Sequence, residues 1–371
     1  MSNIFIKKDI LNALEYYIKL NFWKNDKLVI VTDDNVNQLY KNFINSLTKL
    51  TCIKFIKTIS IPPGEISKSR EMKAYIEDEM FKAYCSRDTL IIAIGGGVVL
   101  DLAGFVAATF CRGIPVLYIP TTLLAQIDAS IGGKTGINTD FGKNLIGAFK
   151  HPNQVFISYE FLNTLPDIEY ISAFAEIIKH ALIKDSSYFN FLVENVDKVK
   201  SKDPEIALKI IKKSIDIKLD IVQKDEKEKN LRAILNFGHT IGHAIEQACN
   251  YKINHGQAVA YGILAESYIS YKLNFLSKSS YEKIIKIISL YNIDSILLPN
   301  LESHILDNCL NFLQYDKKNS NNEIRMVLIK DIGEVFSSNN TYTYGVNISY
   351  LKDSLKKLLQ KDLINIDASI Y

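Results

Sequence analysis

No CxxC pair occurs in this chain. Its five cysteines, Cys52, Cys85, Cys111, Cys249 and Cys309, are scattered. That leaves no disulfide framework and no cysteine-built metal site, and it fits free thiols in a reducing compartment. Charge of one sign is also missing. The 44 basic and 41 acidic residues leave a net charge of +3, which gives no case for nucleic acid or a membrane surface as the main partner. The start, MSNIFIKKDI, lacks an apolar core of signal-peptide length, so a cytoplasmic location is expected. The most apolar stretch, residues 90–110, holds Asp101 and three consecutive glycines. That argues for a buried strand, turn and helix rather than a membrane span. Internal repeats and low-complexity linkers are absent.

What remains is an ordinary globular composition, 47% hydrophobic and 23% charged over 371 residues. This is long for one core, so two domains are expected. The chain divides near residue 150. Before that point apolar strand-like runs at 28–32, 52–61, 89–94 and 115–119 alternate with helical spacing at 36–50, 69–84 and 98–109. Alternation of this kind predicts a parallel sheet with helices on both faces, a Rossmann-like α/β domain over residues 1–150. Residues 151–371 are read as a mainly helical domain, with β character returning only at 323–335 as a short hairpin.

Three motifs carry chemistry. The first is Gly95-Gly96-Gly97, which follows a strand and opens a helix. Such a turn presents backbone N–H groups to a pyrophosphate. The strict dinucleotide fingerprint is missing, because Leu100 occupies its third glycine position. Asp101 lies one turn into an apolar helix and needs a partner, which a cofactor ribose or nicotinamide could supply. Asp33 and Glu65, just past two earlier strand ends, are further candidates for reading a ribose.

The second motif runs from Thr121-Thr122 through Asp128 to Gly132-Gly133-Lys134-Thr135 and Gly142-Lys143-Asn144. Hydroxyls after a strand end and lysines flanked by glycine suit a phosphate. GGKT resembles the tail of a P-loop but lacks the required spacing, so nucleotide hydrolysis is rejected.

The third motif is a metal constellation. His239 and His243 lie four apart in a helical segment, His255 opens another apolar run, and Glu176 lies in AFAEIIKH. Two imidazoles, a carboxylate and an open position suit a catalytic zinc-type site. Spacing does not say which two of His180, His239, His243 and His255 are ligands. Lys179, Lys218, Arg232 and Asn236 surround it. Arg232 suits a carboxylate bound through two parallel hydrogen bonds. The charge run 224–229 reads as a solvated helix end, with Glu228 turned inward.

Taken together, GGGVVLDLAGF, IPTTLLAQIDASIGGKTGIN, GKNLIGAF, AEIIKHALI, LNFGHTIGHAIE and HGQAVAYG resemble the 3-dehydroquinate synthase family over residues 29–333. The resemblance implies an NAD-binding α/β domain, a helical domain, an active site between them and a homodimer. It also implies a bound NAD and one divalent metal, zinc or cobalt. Its metal ligands fall on Glu176, His239 and His255. NAD contacts fall on Asp33, Glu65, Lys68, Gly96, Gly97, Val98, Asp101, Thr121, Thr122, Leu124, Asp128, Lys143 and Thr164. Substrate contacts fall on Lys134, Asn144, Lys179, Lys218, Arg232, Asn236, His243 and Lys318, and Arg112 matches an arginine that reaches the substrate phosphate across the dimer interface.

The implied reaction converts a phosphorylated seven-carbon sugar acid to a carbocycle. It proceeds by transient oxidation with NAD, loss of phosphate, re-reduction and an internal aldol step. Leu100, Ala173 and Gln257 depart from the family pattern of glycine, glycine and glutamate. Activity is expected to survive these changes, while Gln257 is expected to alter the metal's surroundings. Rival readings are a neutral-sugar phosphate cyclase, such as 2-deoxy-scyllo-inosose synthase, and a metal-dependent NAD polyol dehydrogenase. Arg232 with Asn236 disfavours the first, and the phosphate-binding cations disfavour the second.

Overall fold

The computed structural model describes residues 3–22, 27–49, 53–250, 252–293, 303–315, 323–360 and 363. Cys52, Lys318 and most of the tail 361–371 lie outside them. The chain separates into two compact units, Met1–Pro166 and Asp167–Tyr371.

The first unit is built on β1 (Asn3–Ile6), α1 (Leu11–Asn21), β2 (Lys27–Asp33), α2 (Asp34–Leu39), α3 (Lys41–Leu47), β3 (Phe55–Ile61), α4 (Arg70–Lys82), β4 (Thr89–Gly95), α5 (Gly97–Thr109), β5 (Val116–Pro120), β6 (Lys134–Thr139), β7 (Gly142–Phe149) and β8 (Gln154–Ile157). Six strands form one parallel sheet in the order β1-β8-β5-β4-β2-β3. Every residue of β4 is buried, which explains its unbroken apolar run: a central parallel strand is covered on both faces. On one side Leu14 and Ile18 of α1 and Ile44 and Leu47 of α3 pack against Leu28, Ile30, Ile92 and Phe156. The α/β expectation holds. The helical reading of residues 36–50 becomes two helices that break at Tyr40.

Three elements differ from the sequence expectation. The stretch after Pro152 first returns to the sheet as β8, between β1 and β5. The Gly-flanked lysines fall outside the strand-like runs read from the sequence, yet lie on the antiparallel hairpin β6–β7. In the second unit, residues 323–335 do not close as one hairpin. There β9 (Glu323–Met326) pairs with β12 (Tyr344–Asn347), and β10 (Ile329–Asp331) pairs with β11 (Glu334–Val335).

The rest of the second unit is helical: α6 (Asp167–Ser172), α7 (Phe174–Lys184), α8 (Ser186–Glu194), α9 (Val196–Lys200), α10 (Pro204–Lys224), α11 (His239–Ala248), α12 (His255–Lys272), α13 (Lys278–Leu290), α14 (Ser303–Tyr315) and α15 (Ile348–Leu359). Its centre is α12, buried from Gly256 to Ser270. α11 lies on it at backbone contact distance. A Cβ added at Gly262 would sit 1.8 Å from the Gly238 carbonyl oxygen, and one at Gly242 2.9 Å from that of Ala258. Among the described residues no helix is long and apolar enough to cross a membrane.

Candidate metal centre and dinucleotide site

Each of the three residues that converge in the second unit opens a helix. Glu176 lies in the first turn of α7, His239 is the first residue of α11, and His255 is the first of α12. Two contacts bring α12 to α7. Asn254, the N-cap of α12, is hydrogen-bonded through its side chain to Ser172 at the end of α6. A Cβ on Gly256 would lie 2.0 Å from the Ser172 carbonyl oxygen, so the approach requires glycine.

The donor atoms face one another. His239 Nε2 lies 3.3 Å and His255 Nε2 4.0 Å from Glu176 Oε1. The same Oε1 is buried and accepts no hydrogen bond. His239 Nδ1 lies 3.2 Å from the Phe237 carbonyl oxygen, which only accepts, so Nδ1 carries the proton and Nε2 presents its lone pair. Burial, reinforced by Lys179 and by His243 and His255, holds the His239 imidazole well below its usual pKa and keeps it neutral. His255 is oriented the same way by Glu246, whose Oε1 lies 3.3 Å from Nδ1. Three lone-pair donors converging on one buried point repel unless a cation sits among them, so the residues fit a divalent metal. The second oxygen of Glu176 is ion-paired with Lys179, and both side chains are 2% exposed.

His243 is the exposed neighbour. Its ring centre is 5.2 Å from that of His239 and 6.1 Å from that of His255. It lies outside the buried set Glu176, His239 and His255 but converges with Glu246 and His255 in a second, more exposed group. His180 is buried on α7. Arg232 and Lys218 are buried as well. Residues 231–236 form a 3-10 turn, so Arg232 and Asn236 do not stack one above the other as an α-helix would place them. Instead both are fixed by the preceding loop. Arg232 donates through Nη1 to the Glu226 carbonyl at 2.5 Å, and Asn236 donates to Glu228 at 2.7 Å. Glu228 therefore does turn inward from the charge run, while Asp225 closes the loop by accepting the N–H groups of Lys229, Asn230 and Arg232.

The departures from the family pattern have local explanations. Gln257 completes a capping box, accepting the Asn254 N–H at 2.8 Å, a task its amide performs as well as a carboxylate. Ala173 is fully buried at the start of α7. Leu100 is buried within α5, and its N–H donates to the Gly96 carbonyl at 3.1 Å, an ordinary first turn.

Two residues passed over in the sequence matter here. Glu246 lies seven residues after His239 on α11, hence on the same face. Glu266 is a carboxylate in the otherwise apolar run of α12. It accepts the N–H of Gly238 at 2.6 Å and that of Ile241 at 3.1 Å, which clamps the start of the helix that begins with His239. Burial pushes the Glu266 carboxyl up to about 8 against the pull of those N–H groups. An isolated Glu on a buried helical face was the available signal for both.

In the first unit the sheet order reverses between β2 and β4, because β3 lies outside β2 and the chain then returns to β4. Ligands of open α/β sheets bind beyond the strand ends at such a reversal. That accounts for the glycine turn falling on a late strand. Asp33 ends β2 and caps α2, accepting the Val36 N–H at 3.0 Å, and burial raises its carboxyl. Gly95 ends β4, Gly96 caps α5, and Gly97 and Val98 open it. A Cβ on Gly96 would meet Thr122 Cγ2 at 3.2 Å. The Thr121 hydroxyl, at the end of β5, is buried without a hydrogen-bond partner. An open glycine turn beside an unsatisfied hydroxyl fits a dinucleotide.

Asp101 finds its partner within the chain: Lys68 Nζ lies 2.5 Å from its carboxylate. The next segment, Ala125–Ala129, is wound as a π-helix that includes Asp128 and follows directly on Leu124. Buried Gln126 anchors it to the Pro120 and Ser158 carbonyls at 3.2 and 2.9 Å. Thr164 is hydrogen-bonded to the Tyr40 hydroxyl. Lys134 opens β6, while Lys143 and Asn144 lie at the start of β7 near the hairpin's turn. Lys134 and Asn144 are therefore set apart along the hairpin by about four residues of strand, roughly 13 Å. Arg112 is exposed on a turn with left-handed backbone, φ 71°.

Comparison with known proteins gives the family and the fold. Residues 58–172 match the N-terminal and 173–319 the C-terminal family model of 3-dehydroquinate synthase. A 3-dehydroquinate synthase of Thermodesulfovibrio yellowstonii is 40% identical over 344 residues, covering 92% of each chain. The pentafunctional AROM polypeptide of Pneumocystis carinii is 38% identical over 89% of this chain, which spans only 23% of that protein's length. Among solved structures, 2-deoxy-scyllo-inosose synthase in complex with carbaglucose-6-phosphate, NAD+ and Co2+ superposes with a TM-score of 0.88 over 96% of both chains. At 24% identity it establishes the shared fold. On its two matching domain models and its full-length relative, the chain belongs to the 3-dehydroquinate synthase family.

Proposed function

We propose that this chain converts 3-deoxy-D-arabino-heptulosonate 7-phosphate to 3-dehydroquinate and phosphate, a step of the shikimate pathway, using NAD and one zinc or cobalt ion. Family membership supports the reaction. The observation that carries the site is the buried, unbonded Oε1 of Glu176 facing His239 Nε2 and His255 Nε2. When bound, the metal would polarise the substrate hydroxyl and NAD would take up and return a hydride.

The chain's own residues do the rest. Glu176, His239 and His255 hold the metal. Arg232 is suited to the substrate carboxylate, and Lys179, Lys218, Asn236 and His243 bind the polar groups around it. Lys134 and Asn144 offer a cation and an amide to the phosphate, with Arg112 supplied from the second copy of a homodimer. Asp33 and Glu65 suit ribose hydroxyls. The glycine turn suits the pyrophosphate, and Thr121 and Thr122 with the 124–128 segment suit the nicotinamide end. Residues 1–150 are read as the cofactor domain and 151–371 as the metal and substrate domain, in a cytoplasmic dimer.

The test supplies substrate in excess over NAD. Phosphate release should exceed the NAD added many times over. Accumulation of NADH in proportion to product would overturn the cyclase reading in favour of a dehydrogenase. Sedimentation of the purified chain tests the dimer.

A further inference from the structure

The hairpin β6–β7 is regular except at one place. Its register shifts between Ile137 and Thr139, where the single residue Asn138 faces residues 143–145 of β7, so the bulge lies on β7 and Asn138 stands opposite it. A bulge disrupts the ladder locally and re-aims the groups there. The three groups of Asn138 are all redirected. Its N–H donates to the Lys68 carbonyl at 2.7 Å. Its Nδ2 donates to Glu65 Oε1 at 2.7 Å. Its Oδ1 accepts the N–H of Asn144 at 3.0 Å. Asn144 itself has left-handed backbone, φ 58°, and that hydrogen bond fixes it there.

One side chain thus joins the turn that carries Glu65 and Lys68 to the strand end that carries Asn144. On the reading above, the first contacts NAD and the second the substrate phosphate. Glu65 and Asn144 are both exposed, so a ligand on either side restricts them beyond what Asn138 does. Because they share one amide plane, ordering one orders the other, and the second ligand meets a lower entropic cost.

We propose that Asn138 is a positioning residue that couples the two ligands, so that NAD and phosphate each tighten the binding of the other. The inference rests on the site reading and adds to it a residue touching neither ligand. Coupling of this kind is reciprocal: the factor by which phosphate tightens NAD equals that by which NAD tightens phosphate.

The experiment measures the Kd of NAD with and without saturating inorganic phosphate, and that of phosphate with and without NAD, on the full-length, metal-loaded protein. Wild type, Asn138→Ala and Asn138→Asp are compared. Asn138→Ala should bring the coupling factor close to one. In Asn138→Asp the new carboxylate opposes Glu65 but still accepts the Asn144 N–H. NAD should then weaken about 10- to 150-fold, the scale of one hydrogen bond to a charged group, while phosphate changes less than about twofold. Unchanged coupling in both variants overturns the proposal. So does a lowered thermal midpoint with both affinities intact, which is the mark of a merely structural role. Glu65→Ala and Asn144→Ala distinguish the two levels. If they leave NAD and phosphate binding intact, the site reading fails and the link with it. If they weaken binding and the Asn138 variants do not, the link alone fails.

Discussion

Glu246 Oε1 lies 3.3 Å from His255 Nδ1. The carboxylate comes from α11 and the imidazole from the start of α12, so the contact fixes both the tautomer and the rotation of a residue whose other nitrogen faces Glu176. A partner of this kind raises the basicity of the nitrogen on the far side of the ring. Glu246→Ala should therefore lower metal affinity about 10- to 100-fold. Glu246→Gln, which still accepts from Nδ1–H, should lose less. Competition against a chelator of known affinity measures both, and equal affinity in all three proteins would show that His255 needs no such partner.

The converging set predicts which histidines matter for the metal. Glu176→Ala and His239→Ala should each leave the purified protein without stoichiometric metal and without turnover. His243→Ala should keep its metal and lose catalytic efficiency. Elemental analysis beside a phosphate-release assay decides the matter. A metal-free His243→Ala together with a metal-loaded His255→Ala would reverse the assignment.

On the proposed reading, Arg232 is the residue that recognises the substrate carboxylate. Its Nη1 is occupied by the Glu226 carbonyl, which sets the plane in which the rest of the guanidinium is offered. Arg232→Lys should cost about 1.5–3 kcal/mol in kcat/KM with the carboxylate-bearing substrate, the range of a charge-assisted hydrogen bond. An analogue without the carboxylate should lose far less. Equal losses with both would make Arg232 a loop-fixing residue and would favour a neutral-sugar cyclase.

Glu266 gives the fold a pH dependence. Its carboxyl is raised to about 8 in the folded protein, from 4.5 in the absence of burial. Between those values the folded state holds a proton that the unfolded chain has released. The contribution is complete below the unfolded value and is lost as pH rises through about 8. The slope it adds is at most about 1.4 kcal/mol per pH unit. Urea midpoints from pH 5 to 8.5 should fall less steeply in Glu266→Gln than in wild type. Parallel curves would mean that Glu266 keeps an ordinary carboxylate pKa.

The sequence alone determined the period of the longer elements and the pool of candidate metal donors. Unbroken apolar runs separated by helical spacing could only be a covered parallel sheet, and the run of β4 shows why: both of its faces are buried. Glu176 and the candidate histidines His180, His239, His243 and His255 were legible because imidazole and carboxylate are rare together in apolar segments. Within the sequence, the choice among them came only from the family resemblance.

Tertiary structure decided what local pattern does not encode. The four residues of β8 are too few to show a period, and only the open position between β1 and β5 makes them a strand. Asp101 called for a partner, but Lys68, 33 positions away in sequence, could be recognised only in space. Spacing left four histidines open. The approach of α11 to α12, which no residue larger than glycine at 262 would permit, brings two of them to Glu176. It leaves His243 outside, because ligand geometry depends on the distance between helices rather than on spacing within one.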